Sequence, residues 1–217
     1  MIILLYQHPL SSYCHKAKTA FYEKGVAFET RTLDRSEPTA SEFAALWPIG
    51  KFPVAVDDGK MVFEATSIIE HLDVRFPEPR LIPADPALAA EVRMWDRFFD
   101  NYVSYPQQRL VARVIGVEPD DGNDGARWKA ALDTAYSLLD RRMAGRTWAV
   151  GEAFSLADCA AAPALLYADW SHRIPERFEA LHAYRRRLLQ RPSYARALDE
   201  ARPYRHMFPL DAPTDRD

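Results

Sequence analysis

A chain of 217 residues that is 48% hydrophobic and 12% aromatic, with a formal charge of −3, can bury a substantial core and is too apolar for intrinsic disorder. The near-neutral balance argues against nucleic acid as a partner, and no apolar run approaches the ~20 residues that span a bilayer. Cys14 and Cys159 are the only cysteines and the six histidines show no ligand spacing, which leaves neither a disulfide scaffold nor a recognisable metal site.

Met1 to Tyr6 is a short apolar run with no basic region ahead of it, so it is expected as a strand and not as a signal peptide. A helix follows over about Tyr13 to Lys24 and stops at Gly25, then a strand over Phe28 to Leu33 and a short helix over Ser41 to Leu46. Val54 to Val56 and Met61 to Phe63 flank Asp57-Asp58-Gly59-Lys60, an Asp-Gly hairpin signal, and Thr66 to Phe76 closes the unit as a helix. This order is that of a thioredoxin-like α/β fold. Pro77 to Pro83 is too proline-rich for a helix and is expected as a linker. Beyond it the pattern is all helical: one long helix from Pro86 to about Ile115, a polar loop over Gly116 to Gly125, and a helix ending near Gly145. Shorter helices follow near Leu156 to Trp170, Pro175 to Gln190 and Pro192 to Ala201. The expected organisation is an α/β unit at 1–76, a linker at 77–85 and an all-helical unit at 86–217.

Ser11-Ser12-Tyr13-Cys14 stands where the first strand runs into the first helix, and it has the form of a Cys-X-X-Cys redox motif whose first cysteine is a serine. Unpaired N–H groups and the positive end of the helix dipole favour an anion at that point. A serine hydroxyl does not ionise near neutral pH but donates a hydrogen bond to a thiolate, so the reactive sulfur is expected to arrive on a ligand with Ser11 as its donor. Ser12, Cys14 and Tyr6 are the rival residues for that role, and Cys14 on the core side of the helix behaves as a small hydrophobe. Lys51-Phe52-Pro53-Val54 puts a proline directly before a strand. If the Phe52–Pro53 bond is cis, the Phe52 backbone can pair with an extended peptide ligand, and if it is trans the proline merely opens the strand. At Glu64-Ala65-Thr66 a strand gives way to a helix, where the Ala65 and Thr66 N–H groups suit a carboxylate and Glu64 suits an ammonium; plain helix capping is the alternative.

Ser155-Leu156-Ala157-Asp158 is a capping box with a folding role, and its loss is expected to cost ~0.5–2 kcal/mol. On the long helix, Trp95, Phe98, Tyr102, Tyr105 and Arg109 recur at steps of three and four. Trp95 and Phe98 read as core, and Tyr102, Tyr105 and Arg109 as pocket candidates because their polar tips need partners. The aromatic, proline-rich stretch from Arg202 to Pro209 is either a lid folded back on the cleft or a surface tail.

The order and spacing of these motifs resemble the cytosolic glutathione transferase family over about residues 1 to 205, within it the serine-type bacterial enzymes similar to the zeta, theta and delta classes. The resemblance implies glutathione extended across the N-terminal unit, an electrophile in a cleft against the helical unit, a homodimer and a cytoplasmic enzyme without metal. It implies Ser11 as the residue that hydrogen-bonds the glutathione thiolate, Phe52 and Pro53 against its cysteinyl part, Lys51 reaching the tripeptide and Glu64 at the γ-glutamyl group. Two positions depart from the family pattern. Ala65 stands where the family usually has a serine, which implies weaker glutathione binding and not its loss, since the backbone N–H remains and Thr66 next door can supply a hydroxyl, and Trp47 stands where it often has an asparagine. A glutathione-dependent isomerase of a diketo acid, using Arg109 and Arg113, and a non-catalytic dimeric binding module are the alternatives.

Overall fold

The computed structural model describes residues 2–117 and 125–216. Four strands, β1 (Ile3–Gln7), β2 (Phe28–Thr32), β3 (Val54–Asp57) and β4 (Lys60–Phe63), form one sheet in the order β2-β1-β3-β4. β2 runs parallel to β1, while β3 is antiparallel to both β1 and β4. The β3–β4 hairpin closes at Asp58 and Gly59, both with positive φ (49° and 77°), the geometry an Asp-Gly pair adopts cheaply. Helices α1 (Ser12–Glu23), α2 (Thr39–Leu46) and α3 (Ala65–Arg75) complete the α/β half. Leu5 and Ala55 of the sheet meet Ala17, Ala20 and Phe21 of α1 and Ile68, Ile69 and Leu72 of α3 in the core, all 1% exposed or less.

The second half is all helical: α4 (Pro86–Phe98), α5 (Tyr105–Val114), α6 (Ala126–Met143), α7 (Leu156–Ser171), α8 (Glu179–Leu189) and α9 (Pro192–Ala201), ending in a 3-10 turn at Arg202–Met207. The expected loop over Gly116 to Gly125 lies largely outside the described residues. α7 is buried from Leu156 to Trp170, and it sits behind α1, which packs against α3, α7 and α9. One core therefore runs through both halves. The stretch between α3 and α4 is pinned from the α/β side. Lys24 Nζ pairs with Asp73 at 2.8 Å and donates to the carbonyls of Phe76 and Pro79, while the Asp73 carboxylate accepts from the N–H groups of Leu81 and Ile82.

The single long helix expected from Pro86 to Ile115 is interrupted by a π-helical stretch at Phe99–Ser104. Its wider turn changes the repeat, so that Trp95, Phe99, Val103 and Gln107 are buried at steps of four. α8 begins at Glu179 and not at Pro175, because Pro175 and Phe178 form a turn closed by a Phe178 N–H to Pro175 carbonyl bond.

Candidate functional site

Between the two halves lies a cleft of about 740 Å³. Its α/β wall carries His8, Leu10, Ser11, Ser12 and Tyr13 from the β1–α1 turn, Lys51, Phe52 and Pro53 ahead of β3, and Phe63, Glu64 and Ala65 at the start of α3. The helical wall carries Gln107, Gln108, Val111, Ala112 and Ile115, with Tyr167 from α7 and Met207, Phe208 and Pro209 after the C-terminal turn.

Ser11 is the N-cap of α1, extended at φ −85° and ψ 120°, and its Oγ accepts from the Cys14 N–H at 3.3 Å. That bond uses the oxygen as acceptor and leaves the hydroxyl hydrogen for a ligand. Cys14 is fully buried behind it, with Sγ accepting from the His8 N–H at 3.5 Å. Burial pushes its thiol up to about 11 against the Ser11 hydrogen bond, so Cys14 stays protonated at neutral pH. Tyr6 lies under α2, its ring 5.4 Å from that of Phe43, and does not line the cleft. His8 stacks on Phe52 at 5.7 Å, and burial lowers its pKa. The Phe52–Pro53 peptide is cis. Trp47, the departure from the family pattern, lines the cleft and stacks on Phe63 at 4.5 Å.

Glu64 precedes α3 with φ +67°, a left-handed value that costs a non-glycine residue about 1–3 kcal/mol and is kept where its surroundings impose it. Ala65 is buried at the cleft edge. Thr66 turns the other way. Its Oγ1 donates to Asp96 and accepts from Lys16 Nζ, each at 2.9 Å, and also meets the Arg97 guanidinium. The hydroxyl is thus committed to an ion network in which Lys16 Nζ contacts Asp96 at 2.6 Å and Asp100 at 2.8 Å.

Tyr102, Tyr105 and Arg109 are not part of this cleft. Tyr102 is 60% exposed and leans on Phe98, while Tyr105 and the Arg109 guanidinium gather around Trp128 of α6. The π-helical stretch is the reason: it shifts the register, and the face that meets the α/β half becomes the one carrying Gln107, Gln108 and Val111. The C-terminal stretch does fold back, with Phe208 5.8 Å from the ring of Tyr167 and 5.2 Å from that of Trp170. Among the described residues no group of three His, Cys, Asp or Glu is placed to hold a metal, and no helix is long and apolar enough to cross a membrane.

Comparison with known proteins decides the family. The N-terminal domain model of glutathione S-transferases matches residues 5–80, and the C-terminal domain model of the same family matches residues 123–192. The chain belongs to the cytosolic glutathione transferase family. Its thioredoxin-like half followed by an all-helical half is the architecture of that family. A solved glutathione S-transferase from Rhodospirillum rubrum F11 superposes with a TM-score of 0.79 at 28% identity, covering 91% of this chain and 92% of that one. The stringent starvation protein A homolog of Coxiella burnetii is 27% identical over 207 residues, 92% of this chain and 93% of its own length. The FtsZ-localized protein A of Caulobacter vibrioides is 29% identical over 201 residues, 88% of each chain.

Within the glutathione transferase fold, sequence reasoning missed Tyr13, Gln108 and the apolar row Val111, Ala112 and Ile115. Tyr13 stood inside the Ser-X-X-Cys motif and passed as a spacer. Gln107 and Gln108 carried a signal of their own, a polar pair on an otherwise apolar helix face, once the register shift is known.

Proposed function

We propose that this member of the glutathione transferase family joins the glutathione thiolate to small, apolar, uncharged electrophiles, as a soluble cytoplasmic homodimer engaged in detoxification. The observation that carries the reading is the single cleft that gathers the Ser11 cap, Lys51 to Pro53 and Glu64–Ala65 on one wall and Val111, Ala112, Ile115 and Phe208 on the other. Glutathione would lie along the first wall. Its thiolate would accept from Ser11 at the start of α1, and its γ-glutamyl group would meet Glu64 and the Ala65 N–H. Thiol acidity follows from the helix N-terminus and the hydroxyl together, and the sulfur then attacks an electrophile held on the apolar wall.

Calorimetric titration of glutathione, with thiolate absorbance followed in the same samples, tests the binding half. Ser11→Ala tests the chemistry: turnover falls on the order of 10- to 1000-fold for the loss of one donor to a developing charge, with glutathione affinity nearly unchanged. Unchanged turnover sinks the Ser11 assignment. The same variant removes the cap bond to Cys14 and costs about 1 kcal/mol of stability, which unfolding measures separately.

A binding module without catalysis is the second reading. Ala65 lacks the hydroxyl the family usually offers, and the Thr66 hydroxyl is committed elsewhere. Absence of glutathione binding at millimolar concentration favours it. The isomerase reading is weaker, since Arg109 sits at Trp128 and Arg113 beside Gly125, away from the cleft that would hold an anionic substrate.

A further inference from the structure

The chain carries a formal charge of −3, yet one face of its helical half is basic. Four arginines gather there: Arg141 in the last turn of α6, Arg146 just after it, and Arg186 and Arg187 in the last turn of α8. Two contacts bring these stretches together. The Leu181 N–H donates to the Asp140 carboxylate at 3.0 Å, and the Arg187 guanidinium donates to the Thr147 carbonyl at 2.9 Å. Arg141 and Arg146 therefore lie beside the segment from Leu181 to Arg187, which rises about 9 Å along α8. Arg141, Arg146 and Arg186 are exposed, and Arg187 is half-buried.

Arginines elsewhere on the surface find carboxylates, as Arg75 does with Asp58, Arg93 with Glu70 and Arg97 with Asp100. These four do not. Among the described residues Arg141 donates to the Ser137 hydroxyl and Arg187 to a carbonyl, while the side chains of Arg146 and Arg186 make neither a hydrogen bond nor an ion pair. Asp140, the carboxylate next to Arg141 in sequence, is turned into the start of α8. A helix C-terminus favours cations, but two such ends with about half a negative charge each do not balance four full positive ones.

We propose that this face docks a short acidic segment of a partner protein, whose carboxylates are taken by Arg141, Arg146, Arg186 and Arg187. A guanidinium holds a carboxylate through two parallel N–H bonds, so arginines suit such a segment better than lysines would. The positive strip is also short and bounded. Beyond Arg186, a cavity of about 720 Å³ between α8 and the end of the chain is bordered by Glu176, Glu179 and Asp215 as well as by His182 and Arg216. A long polyanion such as duplex nucleic acid would run off the strip onto those carboxylates, whereas a short segment would not. No residue of α6 or α8 lines the cleft, so the proposal stands or falls apart from the transferase reading.

The test follows the amide resonances of the isotope-labelled protein as a synthetic peptide of alternating glutamate and glycine is added. Shifts are expected to cluster at 141–147 and 181–190, to shrink as added salt screens the charges, and to be missing with the glutamine counterpart of the peptide. One exposed ion pair is worth a factor of roughly 1.5–5 in affinity, so the double variant Arg146→Glu, Arg186→Glu, which puts repulsion in place of two pairs, is expected to bind on the order of 10-fold more weakly or worse. Neither side chain has a partner to lose, so the variant keeps the native spectrum elsewhere. Lys60→Glu, on the exposed hairpin of the α/β half, leaves the affinity unchanged. Shifts that scatter over the surface or do not occur, or as large a loss in Lys60→Glu, overturn the proposal. A short DNA duplex that binds this face more tightly than the peptide overturns it too.

Discussion

At the scale of single residues, the site is decided by which hydroxyls are free to face a ligand. Ala65 offers a backbone N–H at the cleft edge and nothing more, and the hydroxyl next to it is spent on Asp96 and Lys16. Ala65→Ser restores one donor, and with about 0.5–1.5 kcal/mol for a net hydrogen bond it is expected to tighten glutathione roughly 2- to 12-fold by calorimetry. Unaltered affinity places the ligand carboxylate elsewhere. The N-cap position of Ser11 was legible in the sequence because it depends on local geometry: a strand end, a helix start and a serine between them. The place of Tyr13 in the cleft was not, because the wall it faces, with Gln108, comes from nearly a hundred residues away and is placed by tertiary packing.

At the scale of elements, the capping box of α7 was read correctly and its weight was not. Asp158 is fully buried and accepts from the Ser155 N–H and hydroxyl, as a cap should, but also from the Ala149 N–H at 2.9 Å and the Tyr184 hydroxyl at 2.6 Å. Asp158→Ala strands donors on three segments at about 1–3 kcal/mol each, so it is expected to cost about 3 kcal/mol or more in urea unfolding, beyond the ~0.5–2 kcal/mol of a lost cap. Ser155→Ala stays within the cap range. A cost for Asp158→Ala no larger than for Ser155→Ala removes the wider role. The π-helical stretch at Phe99–Ser104 is the converse case. The apolar positions of α4 and α5 fit a uniform helix nearly as well as a widened one, and the partners in α6 and α7 select the register that buries Phe99 and Val103.

At the scale of the whole molecule, the two halves are joined by charge as well as by the core. Lys16 of α1, 1% exposed, holds Asp96 of α4 and Asp100 of the π-helical stretch, and Thr66 of α3 closes the group. Lys16→Met leaves two carboxylates with only Arg97 to compensate them, and about 3–5 kcal/mol of stability is expected to go, read as a drop in the urea midpoint. Adding Asp96→Asn and Asp100→Asn recovers most of it if uncompensated charge is the cause. The order of elements and the hairpin were visible from the sequence because turns and periodicity are local, whereas Lys16 at the first helix gave no sign that its partners lie 80 and 84 residues on.

α1 carries Ser11 and Tyr13 at one end and packs on three other helices along its length. This edge of the cleft is therefore anchored to a helix held on three sides: local fluctuation opens poorly packed segments first, so the turn ahead of α1 is expected to loosen only with the core. The opposite rim is of another kind, for there Met207 to Pro209 border the cleft from a stretch beyond the last helix. The two rims of the cleft thus differ in how deeply each is rooted in the core.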